Sequence, residues 1–253
     1  MKAATESVII TLPLCFSKST SKQLRLANQM KTRSLSERMN IFDQVTVYPV
    51  SCEALANGRN DLEWLDEVLA GGTRIVQLRD KVSDDRTLYE KALVFRRKTL
   101  AANALFLVDN RLDIALLSDA DGIHLGNNDI PAKAARQLAP DLIIGVSANS
   151  REQAATAADR GASYYNIGPI FPTTTKSGLT EFIGPEAIKT YSAGSELPFT
   201  VMGGIKSENI TELAALGARR MAVVTALTRA SDIRKETELW IRAIRSATSQ
   251  EQL

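Results

Sequence analysis

From Val45 onward, short apolar runs alternate with longer stretches in which apolar residues recur every three or four positions. The short runs predict strands at Val45–Ser51, Thr73–Leu78, Leu105–Val108, Gly122–Leu125, Leu142–Val146, Tyr164–Ile167, Phe199–Met202 and Arg220–Val224. Most are apolar almost throughout, the pattern of parallel strands covered on both faces. The longer stretches predict helices at Asp61–Ala70, Asp84–Ala102, Arg111–Ser118, Pro131–Leu138, Arg151–Arg160, Pro185–Tyr191, Ser207–Leu216 and Ser231–Ala247. Glycine follows several of them, at Gly71-Gly72, Gly161 and Gly217, a C-terminal stop signal. Ser83-Asp84-Asp85 and Ser207-Glu208-Asn209 supply N-terminal caps with acids in the first turn. This alternation predicts an α/β fold, a single-domain (β/α)8 TIM barrel. A doubly wound open sheet is the runner-up, but no Gly-x-Gly-x-x-Gly follows the first strand.

The first forty residues break the pattern. They carry Lys2, Lys18, Lys22, Arg25, Lys31, Arg33 and Arg38 against Glu6 and Glu37, with many Ser and Thr. The apolar stretch from Val8 to Phe16 is too short to span a membrane. Residues 1–40 are therefore read as an extension of poor order, with helical character over Ser34 to Asp43, and residues 41–253 as the barrel. An organellar transit peptide fits the basic, serine-rich bias. An over-long start fits equally, since Met30 and Met39 could each begin a complete domain.

Composition removes several function classes. A net charge of +2 gives no electrostatic reason for a nucleic-acid or membrane partner, so any anion must be bound by locally placed charge. Two cysteines, Cys15 and Cys52, form neither a disulfide framework nor a metal cluster. With His124 as the one histidine, multi-imidazole zinc chemistry and a histidine acid–base pair are excluded.

What remains lies at the C-terminal ends of the strands, where such barrels carry their chemistry. Alternation along Gln77-Leu78-Arg79-Asp80-Lys81 points Gln77, Arg79 and Lys81 to one side, an arrangement suited to a polyanion. An edge strand decorated with lysine would look similar. Asp109-Asn110 after the third strand and Gly126-Asn127-Asn128-Asp129 after the fourth bring hard oxygens to the same face, as magnesium shared with a diphosphate requires. The plainer alternative for Asp129 is a helix cap before Pro131. Alternation sends His124 into the barrel, as a structural group or against a heterocycle. Ser147 ends the fifth strand, where it donates to a ligand or caps a helix.

The loop from Gly168-Pro169 through Thr173, Thr174, Thr175 and Lys176 is long for a strand-to-helix connection and suits a lid over phosphates. Gly203-Gly204 and Val224-Thr225 end strands seven and eight, the common monophosphate position of these barrels. Tight turning is the bland account of those glycines. The residues thus predict a cationic, metal-assisted diphosphate site and a neutral, backbone-lined monophosphate site.

In their order on consecutive strands, Val76-Gln77-Leu78-Arg79-Asp80-Lys81, Ala120 to Gly126, Gly145-Val146-Ser147, Gly168 to Lys176 and Gly203-Gly204-Ile205 resemble the thiamine phosphate synthase family from about Val45 to Arg229. The resemblance implies condensation of hydroxymethylpyrimidine diphosphate with a thiazole phosphate, releasing pyrophosphate after magnesium-assisted ionisation at the pyrimidine methylene carbon. It implies that Arg79, Lys81 and Lys176 hold the leaving diphosphate as the catalytic set, and that Gln77, His124 and Ser147 line the pyrimidine region. Thr173, Thr175, Gly204, Val224 and Thr225 would receive the thiazole phosphate and nearby phosphoryl oxygens. Asn110 and Asp129 occupy the family's Mg2+ positions, with Asp109 among the substrate-binding residues.

Two departures mark this chain. The family usually has Asn then Asp after the third strand, whereas this chain has Asp109-Asn110, which places a neutral amide at a metal position. Asn127 stands where the family has a glutamine. A thiazole tautomerase of the same barrel family is an alternative, but Asn149 replaces the histidine that enzyme uses. A non-catalytic thiamine-phosphate-binding regulator is a second alternative. The expected partners are small molecules, in a cytoplasmic protein, with homo-oligomerisation left open.

Overall fold

The computed structural model describes residues 33–175 and 181–249. Eight parallel strands form one sheet: β1 (Val47–Pro49), β2 (Ile75–Leu78), β3 (Leu105–Asp109), β4 (Gly122–Leu125), β5 (Ile143–Ala148), β6 (Tyr164–Ile167), β7 (Phe199–Met202) and β8 (Met221–Val223). Each pairs with the next, β8 pairs with β1, and β1 meets β2 through a Val50–Gln77 bridge, giving the expected (β/α)8 barrel. The helices are α1 (Leu35–Phe42), α2 (Asp61–Ala70), α3 (Asp85–Ala101), α4 (Leu112–Leu117), α5 (Ala132–Leu138), α6 (Arg151–Ala155), α7 (Ala187–Ser192), α8 (Ile210–Ala215), α9 (Thr225–Thr228) and α10 (Ile233–Ser249).

Strand alternation divides the core into two layers. Val76, Leu78, Phe106, Val108, Ile123, Leu125, Ile144 and Val146 face outward and pack under the helices with Trp64, Phe95 and Trp240. Ile75, Leu105, Leu107, Ile143, Tyr48 and Tyr164 fill the barrel itself. Ile233, Trp240, Ile241 and Ile244 form the buried stripe of α10, which packs against α8 and α2 to complete the helical ring.

Three local differences from expectation have physical causes. The helix after β5 stops at Ala155, because residues 156–161 mix tight turns (Ala157 N to Ala154 O 3.2 Å, Gly161 N to Ala158 O 2.9 Å) with a single wider one (Arg160 N to Thr156 O 3.1 Å) in place of a continuous α-helical ladder. Ser207–Asn209 is a 3-10 turn ahead of α8, since Asn209 Oδ1 accepts from Lys206 N at 3.0 Å. The short α9 after β8 has too few residues to show a period and was not foreseen.

The fourth difference concerns the expected boundary at residue 40. Ser34 and Glu37 form a reciprocal capping box on α1, and the compact unit starts at Ser34, so that boundary falls inside a helix. The reason is burial. Phe42 is fully covered, its ring 4.7 Å from that of Tyr164, and Arg38 reaches the fully buried Asp121 at 3.4 Å. Asp121 also receives Arg96 Nη1 at 2.9 Å and Phe106 N at 3.0 Å, tying α1, α3 and β3 together below the barrel. The rest of the expected extension, with Cys15 and the Val8–Phe16 stretch, lies outside the described residues.

Candidate active site

A cavity of about 750 Å³ opens at the C-terminal ends of the strands. On its β2–β3 side Lys81 Nζ lies 2.6 Å and Arg79 Nε 3.9 Å from Asp109 Oδ2. The Asp109 side chain is 10 % exposed and that of Lys81 45 %, so a largely covered acid holds a reachable cation. Asn110 adopts a positive φ of 64°, a conformation asparagine tolerates better than most residues, and this turns its amide across the cavity mouth. Lys81 Nζ donates to Asn110 Oδ1, and Asn110 Nδ2 donates to Asp129 Oδ2. Asp129 Oδ2 also accepts from Gly126 N at 2.6 Å. Asp129 does not cap the following helix: the N-cap of α5 is Pro131, without a side-chain bond.

The floor is a chain of hydrogen bonds across the barrel. Gln77 Nε2 donates to Tyr48 Oη at 3.1 Å, and Tyr48 Oη meets Tyr164 Oη at 3.2 Å. Tyr164 Oη meets His124 Nδ1 at 3.0 Å, and His124 Nε2 meets Ser147 Oγ at 3.1 Å. Burial holds the His124 imidazole below its ordinary pKa, with Asp109 and Asp129 opposing, and burial drives both tyrosines upward. The floor is therefore neutral and polar, suited to a heterocycle. Ser147 caps no helix, since Ser150 caps α6.

Sequence reasoning missed Tyr48 and Tyr164, and also Asn166 and Thr200, which line the cavity and share a 2.8 Å bond. One signal was present. Gly145 pairs in register with Tyr164, and a Cβ at Gly145 would lie 2.1 Å from the tyrosine ring, so this glycine exists to seat that ring.

The opposite wall comes from β6, β7 and β8. Gly168-Pro169 is a cis peptide, and Ile170 N and Phe171 N donate to Met202 O and Gly203 O, both at 2.9 Å. A Cβ on Gly204 (φ +62°) would lie 2.4 Å from Pro172 O, so the double glycine permits two loops to pack closely. Thr173 and Thr175 are 3.1 Å apart through their hydroxyls, and both line the cavity with Gly204, Val224 and Thr225. Lys176 lies outside the described residues. Asn149 is occupied structurally: it accepts from Asn127 Nδ2 at 2.5 Å and donates to Gly168 O.

Among the described residues no three His, Cys, Asp or Glu side chains form a self-sufficient metal cage. Asp129 presents a carboxylate oxygen to the Asn110 amide nitrogen, while Asn110 Oδ1 takes Lys81; once that oxygen is released from Lys81 and turned toward Asp129, the pair fits a magnesium ion completed by substrate oxygens and water.

Three comparisons bear on this geometry. The profile of the family described as thiamine monophosphate synthase matches residues 47–227. The thiamine-phosphate synthase of Caldicellulosiruptor bescii is 36% identical over 210 residues, covering 83% of this chain and 96% of its own. That of Pyrococcus furiosus is 37% identical over 200 residues, covering 79% and 95%. The solved thiamine phosphate pyrophosphorylase from P. furiosus superimposes with a TM-score of 0.75 at 34% identity, over 81% of this chain and 97% of that one. A 3-hexulose-6-phosphate synthase, at a TM-score of 0.58 and 17% identity, shares the fold alone. A barrel whose strand ends carry this residue set, matched across most of its length, belongs to the thiamine monophosphate synthase family.

Proposed function

We infer that this cavity joins hydroxymethylpyrimidine diphosphate to a thiazole phosphate, with a distinct wall for each charged group. As a family member the chain is an enzyme, a transferase of thiamine biosynthesis that releases pyrophosphate as it forms thiamine phosphate. The observation that carries the residue assignment is the convergence of Arg79 and Lys81 on Asp109 at one wall, opposite a wall of hydroxyls and glycines.

Arg79 and Lys81 take the diphosphate, together with Lys176 as the family motif implies. Their positive charge stabilises the charge that grows on the departing group, the largest lever in such a site. Asn110 and Asp129 would hold Mg2+, which when bound would supply positive charge to offset that of the diphosphate. Gln77 and His124, fixed by the hydroxyls of Tyr48 and Tyr164, form the floor under the pyrimidine together with Ser147, which meets His124. Thr173, Thr175, Gly204, Val224 and Thr225 receive the thiazole phosphate. No enzymic nucleophile is needed, because the thiazole nitrogen attacks the pyrimidine methylene carbon once the diphosphate departs. Among the described residues no helix is long and apolar enough to cross a membrane.

The test is purified protein with both substrates and magnesium. Pyrophosphate release matched by thiamine phosphate formation supports the reading. Thiazole isomerisation alone would make the chain a tautomerase, and tight binding without turnover a regulator.

A further inference from the structure

Behind the diphosphate wall, Lys91 of α3 lies outside the cavity lining and gathers three carboxylates from three other segments. Its Nζ is 3.1 Å from Glu53 Oε2 in the turn after β1, 2.9 Å from Asp61 Oδ2 at the start of α2, and 2.7 Å from Asp80 Oδ2 after β2. The Asp61 and Asp80 side chains are 2 % and 6 % exposed, so this is an interior junction and not a solvated surface pair.

Asp80 stands between Arg79 and Lys81 in the chain. It spends every contact on its own loop or on Lys91. Oδ1 accepts from Val82 N and Ser83 N, both at 3.0 Å, and Oδ2 accepts from Ser83 Oγ at 2.7 Å as well as from Lys91. Burial opposes ionisation of Asp80, but Lys91 and the Ser83 and Val82 donors outweigh it and hold the carboxyl well below its ordinary pKa. From the other side, Arg79 N donates to Ser51 Oγ at 3.1 Å. The two cations that face the cavity thus hang from a backbone tied down immediately before and immediately between them.

We propose that Lys91 and Asp80 are positioning residues that set the geometry of Arg79 and Lys81 for a diphosphate. The physical need is clear: Val82, next after Lys81, is 85 % exposed, so its side chain gives the loop no anchor in the core. Ordering it at the moment of binding would consume binding free energy. The inference rests on assigning Arg79 and Lys81 to the diphosphate, and it concerns neither the metal positions nor the thiazole wall.

The test uses the full chain, magnesium and inorganic pyrophosphate as inhibitor, with KM measured for each substrate. Lys91→Met should raise the pyrophosphate Ki by about tenfold or more, because misplaced cations lose the benefit of prior orientation. The KM for the thiazole phosphate should stay within about twofold, and Lys91→Arg should recover most of the loss. Asp80→Asn keeps the size of the side chain but drops its charge, and should move the Ki about threefold or more in the same direction. If Lys91→Met does not fold, Asp80→Asn decides alone. An unchanged Ki in the folded variants, or equal increases in both KM values, overturns the inference. Wild-type protein that ignores pyrophosphate would instead overturn the diphosphate assignment, and the inference with it.

Discussion

Lys81 Nζ lies 2.6 Å from Asp109 Oδ2, so the more accessible of the two cations Arg79 and Lys81 is already paired before any substrate arrives. A diphosphate must therefore exchange partners with Lys81 instead of meeting a free ammonium. The exchange is affordable because the Lys81 side chain is 45 % exposed and swings on a flexible stem.

Lys81→Ala removes that cation without touching the core. Turnover should fall by about 10²–10³, the usual cost of deleting a preorganised charge that stabilises a leaving group. The thermal midpoint should barely move. Steady-state assays with a melting curve check both, and wild-type turnover would rule out the clamp.

Asp109→Asn tests the exchange from the other side. Neutralising the competitor should tighten metal-free pyrophosphate binding by about three- to tenfold, since a carboxylate beside two cations opposes any incoming anion. Calorimetry in the presence of chelator measures it. Weaker binding would show that Asp109 aims the cations more than it competes for them.

Asn110→Asp addresses the departure at the metal position. Next to Asp129 a second carboxylate loses the amide hydrogen bond seen here and repels its neighbour until a divalent cation arrives. The variant should melt lower than wild type without magnesium, gain more on adding it, and reach half-maximal rate at about a fivefold lower magnesium concentration. Equal magnesium responses in the two proteins would take Asn110 out of the metal site.

Alkaline stability depends on the buried tyrosines. Burial raises the phenol pKa of Tyr48 and Tyr164 well above 10 and pushes that of Tyr165 up to about 12. An acid whose folded pKa is raised binds more protons folded than unfolded, so its stabilising effect is full below the unfolded value near 10 and is lost as pH climbs through the folded value. Stability should therefore fall from about pH 10 upward. Tyrosinate absorbance and helical circular dichroism should change together; ionisation of these phenols in protein that keeps its helices would contradict the assignment.

Arg38→Met tests whether α1 belongs to the barrel. Asp121 would keep Arg96 but lose its second cation, at a cost of about 2–3 kcal/mol. A chain begun at Met39 should lose more, because it also lacks the Ser34 cap. Chemical denaturation of the three proteins measures the differences.

Much of this was legible from periodicity. Continuous apolar runs of four to six residues require cover on both faces, and helical stretches between them supply it, so the barrel follows before any contact is known. The Gly122–Leu125, Tyr164–Ile167 and Phe199–Met202 strands appear with the bounds the apolar pattern gave. Placement of Gln77, Arg79, Lys81, His124 and Ser147 around one mouth follows from alternation and from their positions at strand ends. Alternation assigns a side chain to a face; it does not name the side chain it will meet.

Strand number, side-chain face and the rim on which the polar residues gather were determined along the chain, because each depends on spacing between near neighbours. Which groups touch was decided by closure. Tyr48 and Tyr164 lie 116 residues apart and bond across the barrel only because β1 and β6 bend around the same axis. Lys91 finds Glu53, Asp61 and Asp80 for the same reason, and α1 joins the fold because Arg38 meets Asp121 beneath it. Hydrogen bonds and ion pairs act over about 3 Å, a scale that local periodicity does not fix and tertiary geometry does.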